Sequence, residues 1–296
     1  MKSLSQGEKK YIIDGIKNGI RYDGRKLNDF RPITIENDIF PHLNGSSRIK
    51  IADDTDIVCS VKVEVLEIDN NNNNNNNIID NLIEINIEFS SNYNNFKIED
   101  RKLIEYGNIL SKELQSIYIE SNIINNKQLC IIPNKFYWII YIDILILQLD
   151  GNPIDICSLA SLIALQCTKI PKIELCLDDD FTISNDLNDS IKLDISNIPI
   201  IISISKIDNI NLFDTNNDEN SCSNNIISIA INKYGNCCGI LKHSIGTINY
   251  NDLKIILNEA NIVAKSIFNK IEEYNQSLLL HDNDKIDIPL RIGFLV

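Results

Sequence analysis

The amino-acid sequence predicts an α+β fold made of two similar halves. Both halves of the 296-residue chain contain short segments whose apolar residues alternate or run together, which is the pattern of strands. In each half these strands lead into a helix whose apolar face must cover a sheet. A polar connection at Pro171–Asn188 separates the two. We therefore predict a first half at 1–188 and a second half at 189–296, related by a pseudo-duplication.

The first half is predicted to alternate between helices and strands. Helices are expected where apolar residues recur every three or four positions, at Glu8–Asn18, Asp100–Tyr118 and from Pro153 to about Cys167. Strands are expected at Arg31–Glu36, Arg48–Leu66 with a turn at Asp53–Asp54, Leu82–Phe89, Gln128–Ile132 and Phe136–Gln148. The last strand is apolar along its length, which indicates a central strand covered on both faces.

The second half repeats the order of strands followed by a helix. Strands are predicted at Ser190–Asp194, Ile198–Lys206, Ile226–Asn232 and Cys238–Lys242. A long amphipathic helix is predicted at Asn249–Tyr274, and Ile286–Val296 is expected to be a short strand or a docked tail. An uninterrupted asparagine run, Asn70–Asn77, cannot bury apolar surface, so we predict a disordered surface loop at about 69–78.

The bulk composition excludes several classes of protein. A net charge of −13 argues against a free-standing nucleic-acid binder, so RNA contacts would come from a few local cations or from a basic partner. None of the eight cysteines forms a C-x-x-C pair, and we predict free thiols, mostly buried, with no metal site and no cofactor. The apolar run Phe136–Leu149 is too short to span a bilayer and Met1–Lys10 is polar, so we expect a soluble intracellular protein.

Four segments resemble the ribonuclease PH family. Gly19–Arg25, which reads Gly-Ile-Arg-Tyr-Asp-Gly-Arg, and the Phe-Arg-Pro that follows at Phe30–Pro32 are similar to the opening signature of that family. Gly45–Glu64 resembles its first hairpin, and Phe136–Asp155 resembles its central strand with the loop into its core helix. The Asp-Gly-Asn of that loop is similar to the non-catalytic branch of the family that forms the exosome ring. Arg291–Leu295 at the end of the chain also resembles a subunit of this branch.

The resemblance implies an assembly as well as a fold. It implies a six-membered ring of paired ribonuclease PH-type exosome subunits, capped by S1/KH subunits, with a channel through which RNA is threaded and degraded from its 3′ end. Active members use phosphate as the attacking group. The location that the resemblance implies is the nucleus and nucleolus, and also the cytoplasm.

Phosphorolysis needs a phosphate cradle and a pair of carboxylates. The resemblance implies a Gly-Ser/Thr-Arg cradle after the central strand, where this chain has Asn152-Pro153-Ile154. Ile154 has no donor and Pro153 lacks even a backbone N–H. The resemblance also implies two aspartates six residues apart, where this chain keeps Asp214 but has Asn220. We therefore predict no catalytic residues and interpret 214–220 as a solvated acidic turn.

Two groups of cations have both a functional and a structural interpretation. Active relatives carry arginines on the first helix of the shared fold, which corresponds to Asp100–Tyr118 in this chain. That helix offers Arg101, Lys102 and Lys112, either as weak RNA contacts or as a solvated face. The arginines of the opening signature, Arg21 and Arg25, either touch RNA or form a paired turn with Asp23. We favour the paired turn, because a bidentate arginine–carboxylate pair fixes a loop geometrically.

Three hypotheses follow from these observations. The first is a non-catalytic ring subunit of the exosome, which contributes surface and ring geometry. The second is an active phosphate-dependent 3′-to-5′ exoribonuclease, whose catalytic candidates would be Asp214, Asp218 and Glu219. The third is another ring paralogue of the same assembly.

Overall fold

The computed structural model describes most of the chain. The described residues are 4–68, 82–90, 100–121, 123–124, 127–175, 181–184, 189–244, 246–281 and 291–292. The asparagine run and the predicted loop at about 69–78 lie outside them. Within the described residues, no helix is both long and apolar enough to cross a membrane.

The first half contains a mixed seven-stranded sheet. Its strands are β1 (Ile33–Asn37), β2 (Gly45–Ile51), β3 (Thr55–Glu67), β4 (Ile83–Phe89), β5 (Cys130–Ile132), β6 (Phe136–Gln148) and β15 (Arg291–Ile292). They lie in the order β15-β1-β2-β3-β6-β4, and β5 also pairs with β6. Only the β4–β6 pair is parallel among the described ladders of this sheet.

The described residues of the first half contain three helices. They are α1 (Gln6–Lys17), α2 (Asp100–Glu120) and α3 (Pro153–Cys167). Pro153 takes the first helical position of α3, where its missing N–H costs nothing, and the helix is buried along nearly its whole length. Close packing against β2 requires a glycine: a Cβ on Gly45 would lie 2.5 Å from the Ala164 carbonyl oxygen of α3.

The second half contains an antiparallel sheet in the order β12-β11-β13-β14. Its strands are β11 (Ile200–Ile207), β12 (Ile210–Phe213), β13 (Asn225–Ile231) and β14 (Cys237–Lys242). A short helix, α4 (Asn217–Cys222), connects β12 to β13, and the long helix α5 (Tyr250–His281) packs on the sheet. Between the two main sheets the chain forms two small antiparallel strand pairs, in which β7 (Lys169–Pro171) pairs with β10 (Ser190–Lys192) and β8 (Ile173–Leu175) pairs with β9 (Phe181–Ile183).

The α+β prediction is confirmed, and most predicted elements lie within a few residues of the observed ones. Two predictions need correction. The hairpin strand β12 and helix α4 were not predicted, because the sequence around them is polar and rich in asparagine. The central strand β6 is not covered on both faces along its whole length, since Asp143 and Leu145 are exposed on one face of its second part. The boundary at 188/189 stays a prediction.

The end of the chain returns to the first half. Arg291 and Ile292 pair with Thr34 and Ile33 of β1, so part of the predicted closing strand is confirmed, while 293–296 lie outside the described residues. The last helix follows the same path, since the Tyr274 hydroxyl donates to the Ile35 carbonyl (3.3 Å). The predicted free thiols are found at all seven described cysteines, but the expected burial holds only for Cys59, Cys157 and Cys222.

Candidate functional site

Two loops from the two sheets meet at the position where the family resemblance locates the phosphate cradle and the carboxylate pair of active members. The first connects β6 to α3 and the second connects β12 to α4. The Asn217 backbone N–H donates to Asp150 Oδ1 (2.9 Å), and Asn220 Nδ2 donates to Asn152 Oδ1 (3.0 Å). Gly151 adopts a φ of 108° here, and a Cβ on it would lie 2.4 Å from the Thr215 carbonyl oxygen. We call the meeting of these loops the inter-sheet centre.

A buried ion pair joins the start of the chain to this centre. Arg21 and Glu219 form a bidentate pair, with Nε to Oε1 at 2.8 Å and Nη2 to Oε2 at 2.5 Å. Both side chains are almost completely inaccessible to solvent. Arg21 also donates to the backbone carbonyls of Phe213 (3.0 Å) and Asp214 (2.9 Å), so its charge is surrounded by acceptors. The opening signature therefore has a structural role, as favoured above.

Two further arginines converge on Asp214. Arg31 Nη2 lies 2.7 Å from Asp214 Oδ1, and Arg25 Nη1 lies 2.8 Å from Asp214 Oδ2. Arg31 also reaches Asp150 Oδ2 (3.1 Å). Burial by itself raises the pKa of the Asp214 carboxyl, but the hydrogen bonds and charge of Arg31 outweigh burial and hold that pKa below its usual value. We call Arg21, Arg25 and Arg31 with Asp214 and Glu219 the arginine clasp.

The arginine clasp corrects two predictions. The predicted paired turn is right for Arg25, whose Nε lies 2.6 Å from Asp23 Oδ2, but wrong for Arg21, whose partner is Glu219. The predicted solvated acidic turn at 214–220 is wrong, because Asp214 and Glu219 are bound by arginines. The segment begins α4, where Asn216 and Glu219 form a reciprocal capping box. Asp218 is the exposed acidic residue of this helix.

The position of the phosphate cradle is filled by apolar and acidic side chains. Ile154 is buried, and Asn152 precedes α3 without capping it through its side chain. In the first turn of α3, Asp155 is partly buried and accepts from the Ser203 backbone N–H (2.8 Å) and hydroxyl (2.5 Å). Burial raises the pKa of Asp155 to about 7, although the Ser203 hydrogen bonds work in the opposite direction. A carboxyl group thus occupies the N-terminal end of α3, which is the end of a helix where an anion would bind.

The position of the second carboxylate is a neutral amide with a complete set of partners. Asn220 Oδ1 accepts from the Thr215 hydroxyl (2.5 Å) and the Ser205 hydroxyl (2.9 Å), while its Nδ2 donates to Asn152. An amide cannot exchange a proton at neutral pH as a carboxylate can. In the inter-sheet centre the carboxylates of Asp150 and Asp214 are therefore bound by arginine, whereas no cation contacts Asp155 among the described residues.

The predicted RNA-contact residues lie elsewhere. Arg101, Lys102 and Lys112 are exposed on α2, and Arg101 pairs with Glu105 one turn along the same helix (3.5 Å). Arg101 and Lys112 are eleven residues apart, which places them on one stripe of the helix. In the described part of the chain, no group of three or more metal-ligating side chains is close enough to hold an ion.

Sequence reasoning missed the hydroxyl groups of the centre. Ser203 and Ser205 alternate with isoleucines along β11, and both are buried. A strand with one apolar and one solvated face also shows this pattern, so the alternation did not distinguish the two cases. A second strand, β13, also carries a serine among apolar residues, and this Ser228 lies directly opposite Ser203 in the sheet. Serines at paired positions of two neighbouring apolar strands would have indicated a buried polar contact.

Comparison with known proteins identifies the class. The domain 1 pattern of the 3′ exoribonuclease family (RNase_PH) matches residues 29–171, and the domain 2 pattern (RNase_PH_C) matches residues 197–260. Together these matches cover more than half of the chain. The chain therefore belongs to the 3′ exoribonuclease, or ribonuclease PH, family, and the resemblance found in the sequence is confirmed.

Relatives within this family point to one subunit type. The chain is 28% identical to the "Putative exosome complex exonuclease RRP42" of Dictyostelium discoideum, over 92% of this chain and 98% of that protein. It is also 28% identical to the "Exosome complex component Rrp42" of Methanocella arvoryzae, over 91% of this chain and 97% of that protein.

Solved structures show that the fold is shared. The "Archaeal exosome core" gives a TM-score of 0.70 at 23% identity, over 90% of this chain and 96% of that chain. A chain of the "archaeoglobus fulgidus exosome with RNA bound to the active site" gives a TM-score of 0.72 at 23% identity, over 89% of this chain and 97% of that chain. The ribonuclease PH fold predicted from the sequence is thereby confirmed.

Proposed function

We propose that this chain is a non-catalytic ring subunit of an RNA exosome, of the Rrp42 type. The observation that carries the proposal is the state of the inter-sheet centre, where Asp214 is neutralised by two arginines and Asn220 replaces the second carboxylate. The names of the relatives and their nearly full-length coverage support the assignment to the ring. In this role the chain supports 3′-to-5′ RNA processing and decay through ring geometry and threading of RNA.

Loss of the phosphate cradle is the strongest argument against phosphorolysis. Ile154 and Pro153 offer no side-chain donor where an arginine and a hydroxyl would bind phosphate. Each hydrogen bond to a charged group contributes about 1.5–3 kcal/mol, so loss of the cluster removes useful phosphate affinity. Asp155 adds to this effect, because an ionised carboxyl at the start of α3 repels an anion.

The proposed partners are other ribonuclease PH-type exosome subunits in a six-membered ring, S1/KH cap subunits, and RNA in the channel. The net charge of −13 favours neighbours with a basic surface. Arg101, Lys102 and Lys112 are the proposed RNA contacts, since they are exposed cations on one helix of an acidic chain. The proposed location is the nucleus and nucleolus, and also the cytoplasm, which a fluorescent tag on the chain would test.

Affinity purification combined with an activity assay tests the proposal. The tagged chain is purified from its own cells and its partners are identified by mass spectrometry. The recombinant chain is then incubated with RNA and inorganic phosphate. We expect the other ring subunits to co-purify and the chain alone to release no nucleoside diphosphates. Recovery of the chain alone, with phosphate-dependent release of nucleoside diphosphates, would sink the proposal.

The alternative is an active exoribonuclease, which is favoured by the word exonuclease in the name of the Dictyostelium relative. Asp214, Asp218 and Glu219 are then the catalytic candidates, and Asp218 is the one whose side chain is exposed. In that case Asp218→Asn would remove the phosphate-dependent activity. The same purification tests the third hypothesis, because a different paralogue would leave an Rrp42-type subunit among the recovered partners.

A variant of the stripe on α2 tests the RNA contacts. Charge reversal at all three positions (Arg101→Glu, Lys102→Glu and Lys112→Glu) is expected to weaken RNA binding by the assembled complex, with a smaller salt dependence. The matched control reverses Lys192, an exposed lysine on β10. Equal RNA affinity of the stripe variant and the control would contradict the assignment.

A further inference from the structure

A continuous line of polar side chains crosses the second sheet. Ser203 Oγ lies 2.5 Å from Asp155 Oδ1 and 2.6 Å from Ser228 Oγ. Ser228 Oγ lies 3.0 Å from His243 Nε2. On the other side of the imidazole, His243 Nδ1 lies 3.8 Å from Glu113 Oε1. We call these five side chains the proton line.

The register of the sheet explains this alignment. Ser203 on β11 and Ser228 on β13 are cross-strand partners, so their hydroxyl groups project from the same face at adjacent positions. Asp155 reaches Ser203 from α3, while His243 follows directly after β14. The line therefore connects the first turn of α3 with the junction of α2 and β14.

The interior of the line is dry, whereas its outer end is accessible. Ser203 and Ser228 are each about 1% exposed. The side chains of His243 and Glu113 are about a quarter exposed, at 27% and 26%. Glu113 also has a buried oxygen, Oε2, without a hydrogen-bond partner in the described part of the chain. A proton can therefore enter at the outer end and pass to the carboxyl along the two buried hydroxyl groups.

The charges around each end are well defined. Asp155 faces the carboxyl of Asp214, a like charge that raises its pKa further, and the Cys157 thiol of its own helix. Asp214 is itself neutralised by Arg31. His243 faces Glu113 from α2 and Ser228 from β13, while the neighbouring Lys242 ammonium donates to the Ser244 carbonyl.

Two hydrogen-bond patterns that contain the same number of protons satisfy all three bonds of the line. In the first, protonated Asp155 donates to Ser203, Ser203 donates to Ser228, and Ser228 donates to Nε2 of neutral His243, whose Nδ1–H faces Glu113. In the second, all three bonds are reversed: the imidazolium Nε2–H donates to Ser228, Ser228 to Ser203, and Ser203 to ionised Asp155. One proton has moved from the carboxyl to the imidazole, and both hydroxyl groups remain neutral.

We propose that Asp155 and His243 share one proton through Ser203 and Ser228, so that protonation at the surface sets the charge of the carboxyl at the start of α3. The Glu113 carboxylate lies 3.8 Å from His243 Nδ1, so its negative charge attracts a positive charge at that end of the line. A partner that pairs with Glu113 would shift the proton inward. Binding of a partner at the junction between α2 and β14 would therefore change the charge of Asp155 at the inter-sheet centre, whether or not the chain is catalytic.

A hydrolytic triad is the other chemistry that serine, histidine and glutamate suggest. The burial of Ser228 argues against this interpretation, because a nucleophile that is 1% exposed cannot meet a substrate. Its hydroxyl is also bonded to Ser203 within the sheet. Proton sharing requires no access for a substrate, and the same burial favours it.

Histidine exchange measured by mass spectrometry tests the proposal in the complex purified through the full-length chain. The rate of C2–H exchange for deuterium depends on imidazole protonation, so its pH profile reports His243 separately from His42. We expect Asp155→Asn to move the midpoint of His243 to lower pH by at least about 0.5 unit, because the shared negative charge is lost. The midpoint of His42 serves as the internal control.

A second variant separates transfer along the hydroxyl groups from charge acting through space. In a Ser228→Ala background the line is interrupted, and Asp155→Asn is expected to leave the His243 midpoint unchanged. An equal shift with and without the Ser228 hydroxyl would overturn the proposal, as would the absence of a shift in the otherwise intact chain. If Asp155→Asn fails to fold, Glu113→Gln replaces it. The infrared band of the protonated Asp155 carboxyl is then expected to grow at neutral pH, and an unchanged band would also overturn the proposal.

Discussion

Asp214 and Asp155 are two carboxylates that line the same small cavity of ≈ 40 Å³, yet they behave in opposite ways. Arg31 and Arg25 bind Asp214, and its pKa lies below the usual value. Among the described residues, the Asp155 carboxyl accepts only from the Ser203 hydroxyl and backbone N–H, and burial raises its pKa to about 7. Burial alone therefore does not decide the charge of a carboxyl group, because the charge of its partner decides it.

The two groups contribute to stability in opposite pH windows. Asp214 has a depressed pKa, so its contribution is present above the unfolded value of 3.8 and is lost as the pH falls through the folded value. Asp155 has a raised pKa, so its contribution is present below 3.8 and is lost as the pH rises through about 7. Four substitutions separate these effects, and they are ordered here by the size of the expected change.

Removal of Arg21 is expected to be the most damaging. Arg21→Met leaves Glu219 buried without its partner, which costs about 3–5 kcal/mol of unfolding free energy. The double variant Arg21→Met with Glu219→Leu is expected to recover much of this loss, because no buried charge remains. Urea unfolding of the three chains measures both effects. A loss below about 1 kcal/mol in the single variant would contradict the structural role of the arginine clasp.

Neutralisation of Asp214 is expected to have the next largest effect. At neutral pH, Asp214→Asn removes charge-assisted hydrogen bonds to two arginines and costs about 1.5–3 kcal/mol. This deficit should shrink as the pH falls below 3.8, since the unmodified chain then loses the same charge. Thermal unfolding at several pH values measures it, and a deficit that is independent of pH would show that Asp214 acts through packing alone.

Neutralisation of Asp155 is expected to change the slope of stability with pH. The unmodified chain should become less stable as the pH rises from about 4 to about 7, at about 1.4 kcal/mol for each unit of pKa shift. Asp155→Asn removes this contribution, so the variant should gain relative to the unmodified chain as the pH rises. If the two chains kept a constant difference across this window, Asp155 would not be the group that titrates.

The smallest effect is expected at the surface. Lys17 Nζ lies 2.7 Å from Asp208 Oδ2, and both side chains are about half exposed, at 52% and 47%. Asp208→Asn should leave thermal unfolding unchanged within error, because solvent and salt screen exposed pairs. This variant is the matched control for Asp214→Asn, with the same chemical change and none of the burial. A loss comparable to that of Asp214→Asn would undo the comparison.

Local patterns predicted the elements, whereas the contacts of the centre depended on distant residues. Apolar periodicity located β6, α3 and the long helix α5 because such patterns need only neighbouring positions. The bidentate pair of Arg21 and Glu219 joins positions that are 198 apart, which no local pattern encodes. The resemblance to the ribonuclease PH family drew attention to Asp214 and Asn220, but it could not reveal that the first is bound by arginines and the second by hydroxyl groups.

The separation of 198 positions between Arg21 and Glu219 also has a consequence for synthesis of the chain. A ribosome adds about 5–20 residues per second, so Arg21 emerges roughly 10–40 s before its carboxylate partner has been made. During that interval the guanidinium that is later buried remains in water, and α1 has no α4 against which to dock. The start of the nascent chain therefore stays undocked until late in translation. During this interval it is accessible to a chaperone or to a partner subunit.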